Sequence, residues 1–207
     1  MKRKVKTKVK GFRTTDGAGV KLVRVLGNLT TKEFDPILML DSFDSINPDD
    51  YTAGFPMHPH RGIETISYVS RGKMVHRDSL GNEAGISDGE VQWMNSGSGI
   101  MHEEMVPAAE RLLGVQLWLN LPAKDKMSKP SYNSIKNEDI KEIEIEGGKI
   151  RLLAGKYGEH EGYKGDYLSM DYYDIHLNAD AEVTLTMEED DSVMVFTLLG
   201  DVYIDGE

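Results

Sequence analysis

GFPMHPHRGIETISYV, residues 54–69, decides the fold: a histidine pair at alternate positions runs into the strand-forming ETISYV. In an extended chain residues i and i+2 point to the same face, so His58 and His60 project together. A second segment, VQWMNSGSGIMHEEM at 91–105, repeats the arrangement with His102 and Glu104. Three imidazoles and one carboxylate suit a first-row divalent metal such as iron and leave one or two positions open for substrate or water. A His-x-His pair often arises by chance. Here, however, four of the six histidines fall between positions 58 and 102, and Gly54, Gly62, Gly97 and Gly99 flank the two segments. Glycine recurs where a chain bends tightly or approaches a ligand closely.

Outward from these segments the chain reads as short strands punctuated by Gly, Asn, Asp or Pro: VKTKV, GVKLVRVL, DPILML, ETISYVS, KMVHRDS, GEVQWMN and GVQLWLN. This spacing, with β-branched and aromatic residues, predicts an all-β barrel or sandwich with no long helix before residue 120. From Pro122 to Asp139 the composition turns polar, as in a linker. Strand signals then resume in IKEIEIEG, KIRLLAGKYG, YLSMDYYDIHLNA, EVTLTMEE, SVMVFTLLG and DVYIDG, with clear alternation in EIEIE and VTLTM. The expected division is 1–134 for a metal-binding unit and 135–207 for a second β unit without a metal site. His160 and His176, sixteen residues apart in that second unit, have no ligand partner near them in sequence and read as ordinary surface or core residues.

Composition narrows the function. At 207 residues, 39% hydrophobic and 29% charged, the chain is ordinary for a globular protein. Cysteine is absent, which excludes disulfides, thiolate metal sites and cysteine nucleophiles, so any metal is held by nitrogen and oxygen. The longest apolar run near the C-terminus, Val193 to Leu199, is far short of the ~20 residues that span a bilayer. The basic start MKRKVKTKVKGFR leads into polar TTDG rather than an apolar stretch, so the expectation is a cytoplasmic protein without membrane attachment, or a nuclear one in a eukaryote. Net charge is −11, with nineteen acidic against five basic residues from Glu138 onward. An acidic balance argues against nucleic-acid binding, which rests on phosphate neutralisation. The one basic run, Lys2, Arg3, Lys4, Lys6, Lys8, Lys10 and Arg13, alternates as the solvated face of an edge strand would.

The stretches GFPMHPHRGIETISYV, HRDSLGN (76–82), VQWMNSGSGIMHEEM and GVQLWLNLPAKDKMSKPSY (114–132), preceded by FDPILMLDSF (34–43), resemble the pirin family of the cupin superfamily. The likeness runs almost without a gap from Val20 to Tyr132. It implies a cupin barrel, the double-stranded β-helix or jelly roll. It also implies a bicupin, whose second barrel is incomplete here because the chain stops at Gly206-Glu207 inside a hairpin. The family's metal ligands fall on His58, His60, His102 and Glu104, with Fe(II) as the expected metal and zinc, nickel, manganese or copper as substitutes. The general cupin pattern places a carboxylate ligand four residues after the second histidine, where Glu64 stands. In pirins that role matches Glu104, which leaves Glu64 to orient a ligand histidine or Arg61.

The resemblance implies two roles. One is quercetin 2,3-dioxygenase-like cleavage of a small aromatic flavonol with O2, Glu104 serving as ligand and catalytic base. The alternative is a metal-dependent regulatory module that binds a protein partner, as a transcription co-regulator does, without turnover. Around the site, Trp93, Met94, Met101 and Met105 read mostly as packing residues, Met101 and Met105 facing away from the metal by their odd offsets. His76, Arg77 and Asp78 read as a structural hydrogen-bonded cluster. The incomplete half, Lys141 to Ile204, is expected to cover its open edges against the first barrel or a second copy of the chain, its acidic excess favouring the more basic N-terminal half.

Overall fold

The computed structural model describes residues 3–204. Eleven strands come first: β1 (Phe12–Asp16), β2 (Val20–Leu26), β3 (Ile37–Ser45), β4 (Phe55–His60), β5 (Ile63–Arg71), β6 (Lys73–Asp78), β7 (Glu83–Ser87), β8 (Glu90–Asn95), β9 (Ile100–Met105), β10 (Leu112–Asn120) and β11 (Ser131–Ile135). They form a seven-stranded antiparallel sheet in the order β1-β2-β3-β10-β5-β8-β11 and a four-stranded one in the order β4-β9-β6-β7. The helical content is one turn at Thr31–Phe34 and a 3₁₀ turn at Pro48–Asp50, so no helix among the described residues is long or apolar enough to cross a membrane. The architecture is the expected all-β cupin.

The two sheets face each other, and an apolar cluster of Val20, Leu22, Phe43, Phe55, Val69, Met74, Ile86 and Leu112 fills one end of the space between them. The larger sheet is covered on its other face too. Ile66, Tyr68, Val91, Trp93, Val115, Leu117 and Leu119 pack there with Leu153, Ala154, Tyr163, Leu168, Met170, Tyr172, Phe196 and Leu198 from later in the chain. Strands buried on both faces lose the exposed–buried alternation, and all six residues of β8 are buried.

After β11 come β12 (Lys141–Ile145), β13 (Gly148–Ala154), β14 (Lys156–Tyr157), β15 (His160–Glu161) and β16 (Tyr172–Leu177), with β12-β13-β16 in one small sheet and β14-β15 in another. The contact of this region with the first barrel is chiefly apolar. In place of the expected charge attraction, the polar links include single hydrogen bonds to backbone carbonyls: Arg3 donates to those of Glu188, Glu189 and Asp191, and buried Arg151 to that of Gly89 at 2.8 Å.

Three expectations are corrected. KVKTKVK does not form an edge strand: residues 3–11 join no strand ladder, β1 starts at Phe12, and Lys2 lies outside the described residues. Alternating lysines provide a strand's faces but not its partner. EVTLTMEE, SVMVFTLLG and the described part of DVYIDG likewise form no strand. Val183, Leu185 and Met187 do alternate half-buried with exposed neighbours, yet no segment is laid beside them to complete a ladder. Asp205, Gly206 and Glu207, which carry the expected hairpin, lie outside the described residues. Finally, the polar stretch after Pro122 is not all linker, because it supplies β11, paired to β8 from Ser131↔Asn95 to Ile135↔Val91.

One glycine ties the fold to the site. Gly54, at φ +63°, lets the chain turn into β4 so closely that a Cβ there would stand 2.7 Å from the carbonyl oxygen of Glu104. Gly54→Ala adds both left-handed strain and this clash. It is expected to lower stability by about 1–3 kcal/mol, read as a lower denaturant midpoint at unchanged slope.

Candidate metal centre

β4 and β9 are antiparallel neighbours, with His58 opposite His102 and His60 opposite Ile100. Alternation on β4 puts both of its histidines on the inner face, where they meet His102. Ring centroids stand 4.8 Å apart for His58 and His60, 4.4 Å for His58 and His102, and 4.9 Å for His60 and His102. Ligand atoms of the three all lie within 4.8 Å of one another, the only such group of three among the described residues.

The nitrogen lone pairs converge. His58 Nδ1 lies 2.8 Å from the carbonyl oxygen of Pro56, which can only accept, so Nδ1 carries the proton and Nε2 is bare. That Nε2 lies 3.0 Å from His60 Nε2. His102 is buried, and its Nε2 has no hydrogen-bond partner. Buried polar atoms are normally paired, so bare imidazole nitrogens gathered around one point fit a cation. Burial, then the neighbouring imidazoles, lowers His60 from 6.5 to about 4 and His102 to about 3, which keeps both rings neutral as metal ligands must be.

Glu104 projects into the same interior two residues beyond His102 but does not belong to the group of mutually close ligand atoms. Its carboxylate is held from the larger sheet instead. Gln116 Nε2 donates to both oxygens, at 3.1 and 3.0 Å, and Gln92 Nε2 donates to Oε1, with Ser67 Oγ at 3.5 Å. The indole N–H of Trp118 donates to Gln116 Oε1 at 3.2 Å, which fixes the amide so that its NH2 faces Glu104. Trp118 also meets His60 edge-on, at 4.9 Å between centroids.

His76 is fully buried beside His102, with Nδ1 to Nδ1 at 3.2 Å, and contacts Asp78 through Nε2 at 2.9 Å. Glu64, Met101 and Met105 depart from the expected places. Glu64 points to the opposite face of β5, where its Oε1 accepts from Trp93 Nε1 at 3.1 Å and burial raises its pKa. Inner positions on β5 are the odd ones, Thr65 and Ser67, so an even-numbered residue cannot serve the site. Met101 and Met105 face away as expected, but they are exposed rather than packed, unlike Trp93 and Met94. His160 and His176 are outside the cluster, His176 contacting Asp174 at 2.7 Å.

Gln92, Gln116 and Trp118 were missed from sequence, though a glutamine inside the apolar strands VQWMN and GVQLWLN is a usable signal of a polar inner face. An open groove of about 430 Å³ is lined by Pro59, His60, Arg61, Ser79 and Met101 among others; it includes neither His58, His102 nor Glu104, and Pro59 and Met101 stand opposite each other in the β4–β9 pair. A groove of the same volume between Glu144 and Asn178 touches none of these residues.

Two facing antiparallel sheets, with histidines converging inside, define a cupin-type barrel with a candidate metal centre. A profile described as "Pirin" matches residues 19–119. A Pseudomonas aeruginosa protein named "Putative quercetin 2,3-dioxygenase" is 42% identical over 204 residues, 95% of this chain and 72% of that one. Human pirin is 34% identical over 206 residues, 98% and 69% of the two chains. A solved quercetin 2,3-dioxygenase from Acinetobacter baumannii is 30% identical and superposes with a TM-score of 0.69 over 80% of this chain and 61% of that one. The chain belongs to the pirin family. It spans less than two thirds of that solved structure's length.

The depressed histidines give the metal-free protein a pH dependence. Their folded pKa values lie below the ordinary 6.5, so between 6.5 and about 4 the unfolded chain binds more protons than the folded one. Stability is therefore full above 6.5 and falls as pH drops through that window. In urea titrations of metal-free protein, His60→Gln is expected to flatten the slope of stability against pH between 6.5 and 5.

Proposed function

We propose that this chain is a metal-dependent oxygenase of the quercetin 2,3-dioxygenase type, acting on a small aromatic, flavonol-like substrate with O2. The observation that carries the reading is the convergence of the bare His58 and His102 nitrogens with His60 beside a buried carboxylate. His58, His60, His102 and Glu104 would hold the metal, Fe(II) by preference. A ferrous ion so held supplies Lewis acidity toward a substrate oxygen and electron exchange with O2.

The remaining work falls to the chain's own side chains. Glu104 takes the proton of the substrate hydroxyl at a carboxylate oxygen, the role that a positioned general base fills. Gln92, Gln116 and Ser67 keep that carboxylate in place while the proton moves, and Trp118 fixes Gln116. The names of the relatives support the substrate class.

The test is anaerobic loading with Fe(II), followed by quercetin and oxygen, with flavonol loss and carbon monoxide release as readouts. Turnover supports the oxygenase reading, whereas full occupancy without turnover favours a binding protein. Within the loaded enzyme, Glu104→Gln retains a carbonyl oxygen but loses the base. Turnover is expected to fall by about 10²–10⁴-fold while metal occupancy falls far less.

A further inference from the structure

Behind the candidate centre lies a chain of buried polar groups that the reaction does not use. Asp78 Oδ1 accepts from the backbone N–H of Leu80 at 2.8 Å and of Asn82 at 3.1 Å. Asp78 Oδ2 accepts from the Asn82 side-chain amide at 2.8 Å and meets His76 Nε2 at 2.9 Å. His76 Nδ1 in turn meets His102 Nδ1 at 3.2 Å. The ring of Tyr132 lies flat on His76, centroids 4.0 Å apart and planes 13° apart, and fixes the imidazole plane. His76 and the side chain of Asp78 are inaccessible to solvent.

The partners dictate where the protons sit. A carboxylate surrounded by donors can only accept, so His76 donates from Nε2. Its Nδ1 is then bare and accepts from His102, whose proton must sit on Nδ1. His102 Nε2 is left bare, and that is the atom without a partner in the interior. The reverse assignment, with His76 donating from Nδ1 to His102 Nδ1, would place a proton on His102 Nε2 with no acceptor, an uncompensated buried donor.

We propose that Asp78 and His76 form a hydrogen-bonded relay that locks His102 in the Nδ1–H tautomer and so aims its Nε2 lone pair at a metal. They are positioning residues, acting through His102. This rests on the metal-centre reading above and assigns a duty to two residues that touch neither metal nor substrate. The Pro56 carbonyl does the same for His58, so two ligand histidines would be set by two unrelated devices. Outer partners of this kind typically contribute about 10–100-fold to metal affinity.

Two measurements test it on the full chain. Long-range ¹H–¹⁵N correlation spectra of metal-free, ¹⁵N-histidine-labelled protein are expected to show opposite tautomers, His102 protonated at Nδ1 and His76 at Nε2. His102 protonated at Nε2, or His76 protonated at both nitrogens, would overturn the relay without reference to any metal. The second measurement is nickel affinity, by competition with a chromophoric chelator, in wild type and Asp78→Asn. The two backbone N–H groups hold the asparagine oxygen in the Oδ1 place, so its NH2 faces His76 and reverses the relay, leaving the three ligand histidines intact. Nickel affinity is expected to fall about 10–100-fold with the His58 tautomer unchanged as an internal control. Equal affinity in a folded variant overturns the proposed role. Wild-type protein that takes up no nickel overturns the metal-centre reading, and the relay's purpose with it, whatever the tautomers.

Discussion

Polar groups can be enclosed only where partners are enclosed with them, and the interior of this barrel is organised around that requirement. His76, His102 and Glu104 are almost completely buried, as are Gln92, Gln116 and Ser67. Each needs a partner that the same interior must supply. The larger sheet contributes amides and a hydroxyl to Glu104, β6 contributes His76 and Asp78 to His102, and the Pro56 carbonyl on β4 itself serves His58. After this pairing the unmatched inner-face atoms are few: Thr65 Oγ1, Gln92 Oε1 and His102 Nε2. A site made by near-complete satisfaction identifies its ligand by what it leaves over.

The sequence carried the parts of this arrangement that depend on local periodicity. His58 and His60, and His102 and Glu104, could be paired because strand side chains repeat every second residue. The family likeness then ran along the strands that carry them. Contacts between residues distant in sequence were illegible. His76 and His102 are brought together by the β6–β9 register, in which Asp78 stands opposite His102, and no local spacing announces it. Glu64 was placed near the metal because nothing local reveals which parity of β5 faces inward. The inward position belongs to its neighbour Thr65.

The errors in secondary structure share one cause. Alternation describes a segment, whereas a strand is a relation between two segments. KVKTKVK and EVTLTMEE both alternate, and neither has a neighbour to pair with among the described residues. SYNSI, in a stretch that looked like linker, has one in β8 and is a strand. The region after β11 likewise meets the first barrel through what its apolar residues can cover rather than through net charge.

The two-faced burial of β5, β8 and β10 has a bearing on how the chain avoids folding wrongly. A slip of one residue in any of these strands would exchange its faces. In β8 it would turn Gln92 into the apolar layer beside Leu153 and set Val91 or Trp93 against the carboxylate of Glu104. Both sides of the sheet would object at once, one to a stranded amide and the other to a missing donor. A strand with one solvated face lacks this double check, because water tolerates most errors on that side. The chemistry between the sheets thus acts as a proofreader of their register, and the correctly paired barrel is also the one whose histidines converge.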